Sequence, residues 1–278
     1  MLERPLLAIA IVLGGTALSD VYASSDGPLR QGGRWTRVFT DEFDSEALDR
    51  TKWVTCYWWG ESGCTNLGNS ELQWYVPENV AIAGGQLQLT AKPADVIGHD
   101  GLRFGYTSGM VTSGRYDRGD QRADRFSFTY GYVEVRARVP AGQGLWSAIW
   151  LLPSDHTSKP EIDVMEVLGH QPGVLELHYH YQNEAGERRS AGHEVETPDL
   201  SRDWHVYGME WSPESIVWYL DGQPVWRYTD TRTISHQPMY LLMNLAVGGD
   251  WPGAPDATTP FPALYLIDYV RIWQREQS

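Results

Sequence analysis

The stretch that decides the fold is Phe126-Ser127-Phe128-Thr129-Tyr130-Gly131-Tyr132-Val133-Glu134-Val135-Arg136-Ala137-Arg138-Val139. It alternates in twos. Ser127, Thr129, Val133, Val135, Ala137 and Val139 share one face, and Phe126, Phe128, Tyr130, Tyr132, Glu134, Arg136 and Arg138 the other, the period of a half-buried strand. The rhythm recurs in Gln86–Thr90 and in Val174–Tyr181, where Glu176, His178 and His180 oppose Leu175, Leu177, Tyr179 and Tyr181. Ile216–Trp226 is a strand, an Asp221-Gly222 turn and a second strand, the strongest short hairpin signal. Leu241–Val247 and Leu264–Trp273 are apolar enough to be buried strands. No segment offers an amphipathic helix of useful length. With 28 Gly and 16 Pro between the strands, the pattern predicts an all-β sandwich of the jelly-roll type, one domain from residue 34 to 275. The segments Pro93–Tyr106 and Asn183–Leu200 read as loops.

The chain has 278 residues, 42% of them hydrophobic and 21% charged, with 22 Lys+Arg against 36 Asp+Glu. The resulting formal charge of −14 argues against nucleic acid or an anionic membrane as a partner, because both require a cationic footprint. Thirteen Trp and 15 Tyr against 6 Phe suit a wet, groove-like surface, since both side chains pair a flat apolar face with a polar handle. Residues 1–23 read as a secretory signal: Arg4, an apolar run from Leu6 to Leu18, and small residues at Val21 and Ala23. The run is too short to span a membrane comfortably. Residues 24–33 form a short polar leader. The two cysteines, Cys56 and Cys64, enclose seven residues, and in an exported chain that spacing predicts a disulfide closing a Trp- and Gly-rich loop.

The chemistry concentrates in Pro160-Glu161-Ile162-Asp163-Val164-Met165-Glu166-Val167-Leu168-Gly169. On a helix, Glu161 and Glu166 would diverge by about 140°. On a regular strand, Glu161 and Asp163 share a face and Glu166 takes the other. One extra residue between Asp163 and Glu166, a β-bulge, returns all three acids to one surface. The two glutamate α-carbons would then stand about 13 Å apart along the strand. Carboxyl groups leaning inward from there are compatible with the roughly 5–5.5 Å gap of retaining glycosidases. Clustered acids raise one another's pKa, so such an arrangement is unfavourable unless something uses it.

Glu161-Ile-Asp163-Val-Met-Glu166 resembles the bulged active-site signature of family 16 glycoside hydrolases. Gly144–Pro153 resembles the aromatic strand that precedes it in that family. Phe39–Asp44, Asn244–Gly253 and Ile267–Trp273 match further family segments, so the resemblance covers residues 36–275. It implies a concanavalin A-like jelly roll with a concave substrate cleft. Glu161 would be the nucleophile, Glu166 the general acid/base and Asp163 the group tuning both. Trp146, Trp150, Trp251, Asn69, Arg115, His178 and Asn244 match positions bordering the cleft, with Trp58, Trp59 and Trp74 as vaguer aromatic candidates. Two departures are Ser70, within the family's Asn-Asn-Glu-Leu segment, and Ser147, where Pro is more usual. The bulged motif points to the laminarinase branch rather than to lichenases.

Together with the signal pattern, the resemblance implies a secreted, retaining endo-β-1,3-glucanase, with mixed β-1,3/1,4 linkages as a second target, a polysaccharide as its partner and a monomeric state. Alternatives are an endo-glycanase for a bacterial exopolysaccharide and a non-catalytic carbohydrate-binding module. No cofactor is expected for the chemistry. A structural calcium is expected on the face away from the acids, with Glu42 and Asp268 the matching carboxylates.

Overall fold

The computed structural model describes residues 27–57, 62–99, 101–115 and 124–276; the signal read at residues 1–23, and Trp58 and Trp59, lie outside them. The strands in the first half are β1 (Trp35–Asp41), β2 (Gln73–Tyr75), β3 (Val80–Ile82), β4 (Leu87–Ile97), β5 (Arg103–Ser108), β6 (Met110–Thr112), β7 (Gly131–Arg138) and β8 (Leu145–Pro153). In the second half come β9 (Glu161–Leu168), β10 (Val174–Gln182), β11 (Arg188–Glu196), β12 (His205–Trp211), β13 (Ile216–Leu220), β14 (Gln223–Tyr228), β15 (Met239–Val247) and β16 (Ala263–Arg275).

They form two sheets. One runs β14-β13-β12-β7-β16-β4-β5-β2, with β1 also on β16 and β3 also on β4; the other runs β11-β10-β9-β8-β15-β6. The inward faces meet in one core. Leu87, Leu89 and Ala91 of β4, Val133, Val135 and Ala137 of β7, and Leu175, Leu177 and Tyr179 of β10 all enter it, as their alternation predicts. Removing each of these leucine and valine side chains from water stabilises the fold by about 1.5–3 kcal/mol. The Asp-Gly turn between β13 and β14 has φ of 51° at Asp221 and 75° at Gly222, the left-handed pair that matches the twist of a two-residue hairpin. Among the described residues no helix is long and apolar enough to cross a membrane.

The opening stretch departs from its expected alternation. Its strand begins only at Gly131, because Tyr130 (φ 60°) and Gly131 (φ 143°) break the extended path. Phe126 and Phe128, expected on the face of Tyr132, instead pack against the same core as Val133 and Val135. Both segments read as loops contain strands. Pro93–Tyr106 is the arm joining β4 to β5, and β11 forms the outer edge of the site-bearing sheet, paired with β10 from Val174↔Glu196 to Gln182↔Arg188. In the leader, Leu29 lies against the outer face of the larger sheet, its N–H donating to Glu134 Oε2 at 2.7 Å.

Glu42 and Asp268 take a different duty from the calcium ligation expected of them. Arg271 donates to both oxygens of Glu42 at 2.8 Å, and Arg136 donates to Asp268 Oδ2 at 2.6 Å. Both Glu42 oxygens and Asp268 Oδ2 thus carry charge-assisted bonds, and among the described residues neither acid belongs to a group of three or more side chains placed to hold a metal.

Candidate active site

β9 lies between β8 and β10, with its core-facing residues Ile162, Val164, Met165 and Val167 all buried. Trp150 pairs with Asp163 while its neighbour Ile149 pairs with Met165. Val164 is therefore the extra residue, and the bulge sits between Asp163 and Glu166 as the pattern requires. From the other side, Glu176 pairs with Glu166, His178 with Asp163 and His180 with Glu161. The indole of Trp218, reaching through the core from β13, donates to the backbone carbonyl of Asp163 at 2.8 Å and so satisfies a main-chain group at the irregularity.

The three acids consequently share the outer face of the smaller sheet, Asp163 3% and Glu166 7% exposed. Trp146 Nε1 donates to Glu166 Oε1 at 3.1 Å, and His178 Nδ1 lies 2.8 Å from Glu166 Oε2. Lys159 Nζ donates to Glu161 Oε2 at 3.0 Å. His180 Nε2 stands 3.3 Å from Asp163 Oδ2 and 3.8 Å from Glu161 Oε1, and its ring stacks on His178 with centroids 5.6 Å apart. Gly192 of β11 makes room for this pair: a Cβ there would come within 2.6 Å of the His178 ring.

Burial shifts the three acids and His180. It pushes the Glu166 carboxyl up to about 8, helped by the charge of Glu161. Asp163 rises well above the usual carboxylate range through burial and the charge of Glu166. Glu161 is raised too, by burial and by Asp163, but Lys159 opposes the rise. The proton is thus held most readily at Asp163 and Glu166, and the ionised form at Glu161, which has the cation beside it. Burial lowers His180 to about 4, so its imidazole is neutral at ordinary pH. Among the described residues, two groups could offer three ligand atoms to a metal, Glu161-Asp163-His180 and Asp163-Glu166-His178; both are made of these same acids.

A groove runs across the sheet on either side of the acids. One half, about 450 Å³, is lined by Tyr57, Asn69, Trp146, Trp150, Asn244 and the three acids among others. The other, about 410 Å³, shares Asn69, Trp146, Glu161 and Glu166 and adds His178, His180, Asp250 and Trp251. The floor of the first half is kept open by Ala148, which stands in register between Asn244 and Glu166. In the first half Trp150 donates to Asn244 Oδ1 at 2.8 Å, and Asn244 Nδ2 donates to the Tyr75 hydroxyl at 3.0 Å. In the second, Trp251 is 40% exposed and meets Trp146 and His178 edge-on, at centroid distances of 5.3 and 5.7 Å. The turn carrying Trp251 docks on the loop carrying Asn69: Asp250 N–H donates to the Asn69 carbonyl at 2.9 Å. Gly249 (φ 124°) permits this approach, since a Cβ would lie 2.8 Å from that carbonyl oxygen.

Most residues expected at the cleft are therefore brought together: Glu161, Asp163, Glu166, Asn69, Trp146, Trp150, His178, Asn244 and Trp251. Arg115 is not among the groove-lining residues, although its charge acts on Tyr57 and Tyr240. Trp74 packs instead against Phe104 and His99. Ser147 is buried and alternates with Leu145 and Ile149 on the core side, away from the groove. Cys56 and Cys64 are bonded, and with Tyr75, Tyr240 and Leu242 they build a small apolar cluster beneath Tyr57 and Trp150. Sequence reasoning missed Lys159, Tyr57 and Glu71, and left His180 outside the site. Glu71 and His180 each had a signal, the first its place in the Asn-Asn-Glu-Leu-like segment and the second its shared strand face with His178.

Comparison with known proteins agrees with this geometry. The family model for glycosyl hydrolases family 16 matches residues 68–271, a span containing the acids and most of the groove lining. The chain belongs to family 16 of the glycosyl hydrolases. This family 16 chain is 36% identical over 277 residues to the endo-1,3-1,4-beta-glycanase EglC of Rhizobium meliloti, covering 95% of itself but 57% of that longer protein. It is 33% identical to a beta-glucanase of Rhodothermus marinus, covering 99% of itself and 95% of the relative. Among solved structures, the catalytic domain of an endo-1,3-beta-glucanase (laminarinase) from Thermotoga petrophila superposes with a TM-score of 0.77 at 32% identity, over 88% of this chain and 100% of that one. As a family 16 member, the chain is a glycoside hydrolase.

Proposed function

We propose that this chain is a retaining endo-β-glucanase that cuts β-1,3 linkages, and β-1,3 linkages in mixed β-1,3/1,4 glucans, by double displacement. The observation that carries the reading is the Val164 bulge, which sets Glu161, beside a lysine, and Glu166, raised to about 8, on one groove face. Glu161, the ionised member, attacks the anomeric carbon. Glu166, still protonated near neutrality, gives its proton to the departing glycosidic oxygen and then takes one from the incoming water. Asp163, protonated between them, can donate to Glu161 and steady its charge, while Trp146 and His178 fix the orientation of Glu166. Trp150 and Trp251 offer apolar faces on which sugar rings stack at either side of the cut, and Asn69 and Asn244 bond hydroxyls.

Among the described residues the groove extends to either side of the acid cluster, which suits internal cleavage of a chain. The names of the relatives support β-1,3 and β-1,3-1,4 specificity. Export as a monomer is part of the same proposal, supported by the signal pattern at residues 1–23 and by the Cys56–Cys64 bridge. The test is a product profile on laminarin, lichenan, agarose and a succinylated bacterial exopolysaccharide. Oligosaccharides from laminarin or lichenan are expected. Cleavage of the exopolysaccharide alone would redirect the substrate assignment, and cleavage of none by the folded protein would favour a binding module.

A further inference from the structure

Beside the acids, at the end of β15, a line of hydrogen bonds has its direction imposed by the backbone. β6 covers β15 only from Leu242 to Asn244, so the Val247 N–H needs another acceptor and finds Gln73 Oε1 at 2.7 Å. A backbone N–H can only donate, so this contact fixes which end of the Gln73 amide is oxygen. Gln73, fully buried, must then point its NH₂ group at Glu71, where Nε2 donates to Oε2 at 2.6 Å. The other carboxyl oxygen of Glu71, Oε1, accepts from Asn69 Nδ2 at 3.1 Å. The neighbouring backbone reinforces the placement, with Leu72 N–H donating to the Val247 carbonyl at 2.8 Å. Glu71 is 6% exposed and lines the groove without touching the three acids. A buried carboxyl at that location is unfavourable unless its acceptor capacity is used.

We propose that Glu71 and Gln73 are positioning residues that lock the Asn69 amide with its nitrogen inward, so that Asn69 presents a carbonyl acceptor to a sugar hydroxyl bound in the groove. The inference rests on the glucanase reading and adds to it the polarity of one contact. Asn69 lines both halves of the groove, so the contact falls beside the bond to be cut. Replacing the carboxylate by an amide forces a choice. The new amide must keep its oxygen toward Gln73, because Val247 allows no reversal there, and so turns NH₂ groups against each other at Asn69. Asn69 relieves the clash by flipping and then offers a donor to the sugar. A hydroxyl meeting that donor must turn its own proton elsewhere.

The test is a mutant cycle read as KM and kcat on laminarin at pH 8, above the value of about 7 to which burial raises the Glu71 carboxyl, so that both its oxygens accept, with thermal melts as a check on folding. Glu71→Gln is expected to raise KM about five- to tenfold with kcat within about twofold, the loss of roughly one hydrogen bond made equally to substrate and transition state. Asn69→Asp, which sets two carboxyls together, should weaken binding at least as much. The double variant Glu71→Gln/Asn69→Asp restores a consistent direction and an outward acceptor, and its KM should return to within about threefold of wild type. A double variant no better than Asn69→Asp alone overturns the proposal, and so does an unchanged KM in a folded Glu71→Gln protein. Were wild type itself inactive on every glucan, the glucanase reading would be the one to fall.

Discussion

Replacing Glu166 by glutamine should stabilise the protein while disabling it, and the gain should depend on pH. In the folded chain Glu166 holds its proton to about pH 8, against 4.5 for an unperturbed glutamate. Below pH 4.5 both folded and unfolded chains carry the proton and the group exerts no penalty. As pH rises from there toward 8, the unfolded chain gives up a proton that the folded one must keep, so wild-type stability falls across that window and levels off above it. At roughly 1.4 kcal/mol per pH unit the ceiling is about 5 kcal/mol. Because Glu161, Asp163 and Glu166 share their protons, a realised gain of about 2 kcal/mol is expected. The amide can retain the local contacts: its oxygen accepts from Trp146 and its other end stays within reach of His178 Nδ1. For a chain of this size, about 2 kcal/mol corresponds to roughly 4–8 °C in Tm. Thermal melts followed by near-ultraviolet circular dichroism, at constant ionic strength from pH 4 to 9, measure it. The difference in Tm between variant and wild type should be near zero at pH 4 and largest at pH 8 and above. A difference independent of pH, or a less stable variant at pH 8, would refute the assignment of Glu166 as a buried, proton-holding carboxyl.

Trp251→Ala should raise KM severalfold on a polymeric glucan with kcat little changed, because an exposed stacking face contributes equally to ground and transition states; steady-state kinetics would show it. Ala148→Leu should fill the groove floor between Asn244 and Glu166 and lower kcat/KM at least tenfold, while the melting temperature stays within a few degrees of wild type, since the added side chain faces the groove and not the core.

The parts of this molecule that were legible in the sequence are those where burial writes a pattern. β4, β7, β10 and β16 each place apolar residues against one core, and the Asp221-Gly222 turn has a conformation few other pairs adopt. The acid strand was legible for a related reason: only a bulge reconciles three acids on one face with Ile162 and Val167 in the core. β11 was not, because both its faces are largely exposed, leaving hydrogen bonding without hydrophobic alternation. The arm of β4 and β5 beyond Ala91 failed to register for the same cause. Phe126 and Phe128 misled because two consecutive positive-φ residues, Tyr130 and Gly131, reset the phase of alternation, and a tyrosine gives no warning of it. At the site, Lys159 is an ordinary surface residue by sequence, and Glu71 stands in a family-like segment that does not record what its side chain touches. Their roles come from loops returning to the groove, a long-range consequence that local spacing does not record. Glu42 and Asp268 show the converse: two acids in suggestive motifs that arginines from the neighbouring strands had already engaged.

The central claim is that Glu161 and Glu166 act by double displacement, so the anomeric configuration is kept. The most direct measurement is a proton NMR time course of the wild-type protein acting on a β-linked glucan, observing new reducing ends before mutarotation blurs them. The β-anomer should appear first, with the α-anomer growing in later at the rate of spontaneous mutarotation. An α-anomer appearing first would mean single-step inversion, and the assignment of Glu161 as the nucleophile would be wrong.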